Sequence, residues 1–205
     1  MSSYIIAITG ASGAIYGMRL LEYLVKNGLT VYLTVTKEAW WILKDETGLF
    51  RAGTEDETED EINSSLCEYY GVSKEVLHYY DENNMKAPVA SGSFRTDGMV
   101  IVPCSMKTVA SIASGVSSNL VGRSADVILK EKRKLIIVPR ETPLNTVHLR
   151  NLLTLSEMGI HIIPAMPAFY NKPATIDDMV EFIVGRILDA LCIDNNLYAR
   201  WGAGK

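Results

Sequence analysis

The sequence predicts an α/β fold, a doubly wound parallel sheet with helices on both faces, and three observations carry that expectation. Five short, β-rich apolar segments recur along the chain, segments of helical period separate them, and glycine or proline punctuates the junctions. The chain has 205 residues, 48% hydrophobic and 21% charged, which fits one domain spanning residues 1–205, since chains usually divide only beyond roughly 250 residues.

Residues 4–9 form the first strand and run into Gly10-Ala11-Ser12-Gly13. Behind this turn Ala14, Ile15, Met18, Leu21, Leu24 and Val25 recur at helical spacing until Asn27-Gly28 stops them. Residues 30–36 are the second strand, 37–45 a helix and 58–70 another, whereas 81–96, rich in Asn, Pro, Ser and Gly, read as a loop. The third, fourth and fifth strands fall at 98–103, 134–139 and 161–164, with helices at 108–113, 121–133 and 145–158 between them. The last helix, 176–191, opens with Thr175 as N-cap and Asp178 three residues on. Alternation of this kind gives the flavodoxin-like strand order 2-1-3-4-5, in which ligands bind where the order reverses, between strands one and three. That address joins two distant loops, Gly10 to Gly13 and Cys104 to Thr108.

Composition narrows the function classes. The longest apolar runs fall far short of the roughly 20 residues of a membrane span, and Met1-Ser2-Ser3-Tyr4 has no basic n-region, so we expect a cytoplasmic protein without a secretory signal. Net charge is -4, yet residues 55–61 alone carry six acids, read as a solvated loop or helix start, and the rest of the chain is net positive. No basic tail or Lys/Arg patch supports nucleic-acid binding. Cys67, Cys104 and Cys192 are odd in number and far apart, which argues against disulfides or structural zinc. Cys104, after a buried strand, reads as a small core residue, and His78, His148 and His161 lack metal spacing and read as structural.

Several segments carry possible chemistry. The glycine turn before a helix suits an anion, which the free N–H groups and positive dipole end attract; equally, its glycines pack helix against strand. Its G-x-x-G-x-x-x-G spacing is not the dinucleotide fingerprint. Ser105, Met106, Lys107 and Thr108 supply hydroxyls, a cation and amides at a helix start, suited to a phosphate monoester or to an ordinary cap. Arg123 and Lys130 share a helix stripe with Asp126 between them, which either brackets an anion or forms a surface ion-pair ladder. Arg140 and Glu141 follow the fourth strand, where an acid beside a base is placed to protonate a leaving group. Arg186 borders the apolar stripe of the last helix, either reaching for an anion or laying its stem along that wall. The proline-bounded loop 164–173 presents Met166, Phe169 and Tyr170 as one wall of an apolar pocket.

These motifs, in this order, carry a resemblance. Thr9-Gly10-Ala11-Ser12-Gly13-Ala14, Ala90-Ser91-Gly92-Ser93, Pro103-Cys104-Ser105-Met106-Lys107-Thr108, Arg123 to Asp126, Leu129-Lys130-Glu131, Pro139-Arg140-Glu141-Thr142-Pro143 and Pro167-Ala168-Phe169-Tyr170 make the chain resemble the UbiX flavin prenyltransferases from Tyr4 to about Trp201. It looks closest to those associated with phenolic-acid decarboxylases. The resemblance implies a flavodoxin-like fold assembled as a dodecamer. It implies a metal-independent transfer of a dimethylallyl group from dimethylallyl monophosphate to N5 and C6 of reduced FMN. The product, prenylated FMN, would serve a UbiD-type decarboxylase.

By position, the resemblance implies FMN contacts from Gly10, Ala11, Ser12, Thr36, Ser91, Ser105, Met106, Lys107, Thr108 and Arg123. It implies that Lys130, Arg140, Tyr170 and Arg186 hold the allylic phosphate, with Trp201 nearby, and that Ser12 and Glu46 flank the reacting flavin edge. Glu141 matches the acid that protonates the departing phosphate, and Lys130 is counted with Ser12, Glu46 and Glu141 as catalytic. Two departures stand out: Met85 replaces an aromatic residue beside the prenyl chain, and residues 53–76 are longer than in close relatives. Two other readings remain at this level. A flavin-dependent cysteine decarboxylase would need a histidine where Ala90-Ser91-Gly92-Ser93 stands, and an FMN-carrying accessory subunit would need no catalysis.

Overall fold

The computed structural model describes residues 2–48 and 57–202. Its strands are β1 (Ser3–Ile8), β2 (Thr30–Val35), β3 (Leu77–Tyr79), β4 (Gly98–Cys104), β5 (Lys134–Pro139) and β6 (His161–Ile162). Its α-helices are α1 (Ala14–Lys26), α2 (Lys37–Thr47), α3 (Glu59–Tyr70), α4 (Met106–Ala113), α5 (Leu120–Lys130), α6 (Thr146–Glu157) and α7 (Ile176–Ala190). All strand pairs are parallel, in the order β3-β2-β1-β4-β5-β6. The five expected strands thus take the expected order. A sixth, β3, extends the β2 edge; its three residues are too short to show a pattern in the sequence.

Period-two alternation divides the sheet between two cores. Ile6, Ile8, Val100, Val102, Ile136 and Val138 face α1 and α7, whereas Ile5, Ala7, Met99, Ile101, Leu135 and Ile137 face α4 and α5. With both faces covered, the central strands read as continuous apolar runs, and each large aliphatic side chain buried this way contributes about 1.5–3 kcal/mol. β1 pairs with β2 from Ser3 opposite Thr30 to Ile8 opposite Val35, and with β4 from Tyr4 opposite Gly98 to Ala7 opposite Ile101. The connections after β1 and β4 leave in opposite directions, which opens a crevice at the C-terminal edge between them.

Local chemistry fixes the helix starts. Thr58 and Glu61, Asn145 and His148, and Thr175 and Asp178 form reciprocal capping boxes for α3, α6 and α7. His148 is therefore a cap, and His78 stacks on Tyr32 with ring centroids 5.1 Å apart. Glu55 and Asp56 of the acidic run lie outside the described residues, while Glu59, Asp60 and Glu61 occupy the first turn of α3, where acids complement the dipole. Glu59 also takes the Asp81 amide at 2.7 Å and the Asn84 side chain at 2.8 Å, tying α3 to the loop after β3. Among the described residues no helix is long and apolar enough to cross a membrane.

Candidate active site

The crevice is stapled by one hydroxyl. Thr9 Oγ1 donates to the Pro103 carbonyl at 2.9 Å and accepts the Ser105 amide at 2.8 Å, so the loops after β1 and β4 are held side by side. Ser105 then caps α4: its Oγ accepts the Thr108 amide at 3.3 Å and lies 3.0 Å from Thr108 Oγ1. The helix begins at Met106, two residues earlier than its apolar spacing suggests, so Met106 and Lys107 contribute amides to its first turn, where helix N–H groups have no intrahelical acceptor.

A cleft of about 240 Å³ lies above this turn, lined by Thr9, Gly10, Thr36, Asn119, residues 105–108 and the carboxylates of Glu38, Glu82 and Glu141. A second cleft of about 200 Å³ shares Gly10, Ser105, Met106 and Glu141 and adds Ala11, Ser12, Ile42 and Arg140. Arg140 Nε donates to the Ser12 carbonyl at 3.2 Å, joining the loop after β5 to the glycine turn. Glu141 is exposed, and its Oε1 accepts the Thr142 amide at 3.0 Å. Thr36 is buried and caps α2 through the Ala39 amide at 3.4 Å.

Three polar lining residues, and the apolar Ile42, escaped the sequence reading. Glu82 accepts the Lys37 amide at 2.5 Å and the Asn119 side chain at 2.7 Å, linking the starts of α2 and α5 across the cleft. Glu38 pairs with Lys107 at 3.3 Å, and its own backbone N–H, followed by Lys107, holds its carboxyl below the ordinary range. Asn119 was detectable as an N-cap, since it stands directly before an apolar helical run. The two glutamates had no local signal, because their partners lie on other loops.

The glycine turn resolves both readings of its sequence. Gly13 has φ 94°, and a Cβ at Gly17 would stand 2.4 Å from the Val102 carbonyl oxygen, so α1 is packed hard against β4. The anion at the start of α1 is the chain's own: Glu46, from the last turn of α2, accepts the Gly13 amide at 2.9 Å and the Ala14 amide at 3.0 Å.

The remaining expected residues form two further groups. Arg123 donates to the Ala90 carbonyl at 3.0 Å and to Asp126 at 2.8 Å, so the ion pair of the ladder reading is present. Ser91 Oγ lies 2.9 Å from Ser93 Oγ, and Lys130 passes beside Gly92, where a Cβ would meet its Cε at 3.3 Å. Lys130 is the last residue of α5, about 15 Å at 1.5 Å per residue from the end that carries Asn119 and the cleft. The chain therefore does not bring Lys130 to Arg140.

Tyr170, from the loop before α7, and Arg186 of α7 meet the same aromatic group. Tyr170 stands edge-on to Phe182 at 6.0 Å and to Trp201 at 5.2 Å, Phe182 packs on Tyr198 at 5.1 Å, and Arg186 donates to the Tyr198 hydroxyl at 3.3 Å. Cys104 is fully buried, which pushes its thiol far above the ordinary range and leaves it a core residue. Met85 is exposed.

Comparison with known proteins adds identity to this geometry. A family model described as Flavoprotein matches residues 2–188. Flavin prenyltransferase UbiX of Alkalihalophilus pseudofirmus is 48% identical over 96% of this chain and 94% of its own. The solved structure of AnUbiX (PadA1) in complex with FMN and dimethylallyl pyrophosphate superposes with a TM-score of 0.84 at 39% identity, covering 100% of this chain and 99% of that one. A dodecameric FMN-dependent UbiX-like decarboxylase from Escherichia coli O157:H7 gives 0.83 at 40%, covering 97% and 98%.

Proposed function

The chain belongs to the flavoprotein family, among its UbiX flavin prenyltransferases, and on that premise we propose that it joins a dimethylallyl group from dimethylallyl monophosphate to N5 and C6 of reduced FMN. The observation that carries this reading is the stapled crevice, where Ser105, Thr108 and the first-turn amides of α4 lie beside Arg140 and Glu141. Such a set fits a flavin phosphate: hydroxyls and amides to receive its oxygens, with Lys107 able to exchange Glu38 for the anion. Thr36, Gly10, Ala11 and Ser12 line the adjoining wall, where the ring would lie.

When bound, reduced FMN supplies the nucleophilic N5 and C6 that receive the dimethylallyl group. The chain's own residues hold the donor. Arg140, Tyr170, Arg186 and Lys130 grip its phosphate, and Glu141 gives a proton to that phosphate as it leaves. Because Lys130 ends α5 at the end away from Asn119 and the cleft, a second copy of the chain must bring its Lys130 to the crevice, as a homo-oligomer such as a dodecamer would. The product, prenylated FMN, goes to a UbiD-type decarboxylase. Three free cysteines suit a reducing, cytoplasmic setting.

The test is direct: incubate the protein anaerobically with reduced FMN, a metal chelator and either dimethylallyl monophosphate or the pyrophosphate. A flavin heavier by one prenyl group, formed preferentially from the monophosphate, supports the whole reading. FMN retention without a heavier flavin would identify an accessory flavin carrier instead.

A further inference from the structure

After α7 the chain doubles back along the same helix, and one carboxylate receives it. Asp189 Oδ1 accepts from Arg200 at 2.7 Å and from the Asn195 side chain at 2.9 Å; its Oδ2 accepts from the Tyr198 hydroxyl at 2.5 Å and from Arg200 again at 3.1 Å. The side chain is only 18% exposed. Burial works to raise its pKa, but the Arg200, Tyr198 and Asn195 donors outweigh burial and hold the carboxyl below its ordinary value. A second, independent feature seats the same segment: a Cβ at Gly185 would stand 2.5 Å from Tyr198 Cδ1, so the missing side chain is the space the phenol occupies.

The consequence reaches Arg186, one helical turn before Asp189. The Tyr198 hydroxyl donates its hydrogen bond to Asp189 and so presents a lone pair to Arg186 Nη1, 3.3 Å away. Asp189 itself stands 3.6 Å from Arg186, yet its charge is met by the two-pronged contact with Arg200. Two guanidinium groups against one carboxylate leave a net positive charge, and because Arg200 takes the two close contacts, Arg186 is left with charge to offer an anion. Meanwhile the Arg200 clasp sets Trp201 edge-on against Tyr170.

We propose that Asp189 is the positioning residue of the donor-phosphate subsite: through Tyr198 it aims Arg186, and through Arg200 it holds the C-terminal segment that places Trp201 against Tyr170. This rests on the assignment of Arg186, Tyr170 and Trp201 to the donor phosphate made above. A purely structural anchor for the segment would not need the Tyr198 hydroxyl to face Arg186, and this difference separates the two roles by experiment.

FMN affinity, donor KM and kcat for dimethylallyl monophosphate, and the rate at which trypsin removes residues 201–205 by cutting after Arg200, read by mass, are compared for the full chain and its variants. Asp189→Asn is expected to raise the donor KM about tenfold or more, as loss of a charge-assisted hydrogen bond does, to accelerate the tryptic cut by a similar factor, and to leave FMN affinity unchanged. Tyr198→Phe is expected to raise the donor KM while the tryptic rate stays near that of the parent, since Arg200 and Asp189 remain paired. A faster tryptic cut with the parent donor KM in Asp189→Asn would make Asp189 a structural anchor only and overturn the proposal. If Asp189→Asn does not fold, an unchanged donor KM in Tyr198→Phe overturns it. An unchanged donor KM in Arg186→Ala would instead overturn the assignment of Arg186 to the donor phosphate, and this proposal with it.

Discussion

Glu141 lines both clefts, and among the described residues its carboxyl accepts the amide of the next residue while it faces a ligand from either side. A proton donor is needed as the phosphate departs and not for holding a flavin. Glu141→Gln should therefore lower turnover by roughly 100-fold to 10,000-fold while FMN affinity, followed by flavin fluorescence, stays within about twofold. Collapse of FMN affinity with surviving single-turnover chemistry would make it a binding residue. Thr9 works differently: it is buried, and its Oγ1 holds the Ser105 amide across 96 positions of sequence and so sets where α4 begins relative to the glycine turn.

Helix ends carry much of the architecture at the next scale. α1 has no side-chain cap of its own, because Gly13 occupies the N-cap, and Glu46 of α2 supplies the missing acceptor. Glu46→Gln should cost about 0.5–2 kcal/mol in chemical denaturation, as lost caps do, even with no flavin present. No change in stability would mean that the Gly13 and Ala14 amides are met equally well by water. α7 offers a titratable cap. Asp178 accepts the Thr175 and Ala174 amides, which hold its carboxyl below the ordinary value of 3.8. A depressed folded pKa stabilises above the unfolded pKa, and that contribution is lost as pH falls through the folded value. Melting temperature should therefore fall as pH drops below about 4, and Asp178→Asn should show a shallower fall over the same range. Identical slopes for parent and variant would remove Asp178 from the acid response.

For the whole molecule, the decisive geometry is the separation of Lys130, the last residue of α5, from Arg140 and Glu141, which follow the C-terminal end of β5. If sites are completed between copies, Lys130→Ala and Glu141→Gln chains, each nearly inactive, should regain activity when dissociated and reassembled together, with about one quarter of sites carrying both native residues. Recovery no greater than the unmixed variants would place all these groups in one chain. The sequence by itself determined what is decided within a few residues. Central strands buried on both faces must be continuously apolar, which made β1, β4 and β5 legible, and the Thr58, Asn145 and Thr175 caps act within one turn. The order of those strands followed from right-handed crossovers of predictable length. Short elements and distant pairings were not legible: β3 gains its strand character only by lying beside β2, Glu46 caps a helix 32 residues away, and Asp189 gathers Asn195, Tyr198 and Arg200 only because the chain reverses after α7. Only the tertiary structure decided these, because a hydrogen bond between loops exists only after packing has brought its donor and acceptor together, and no local propensity records that meeting.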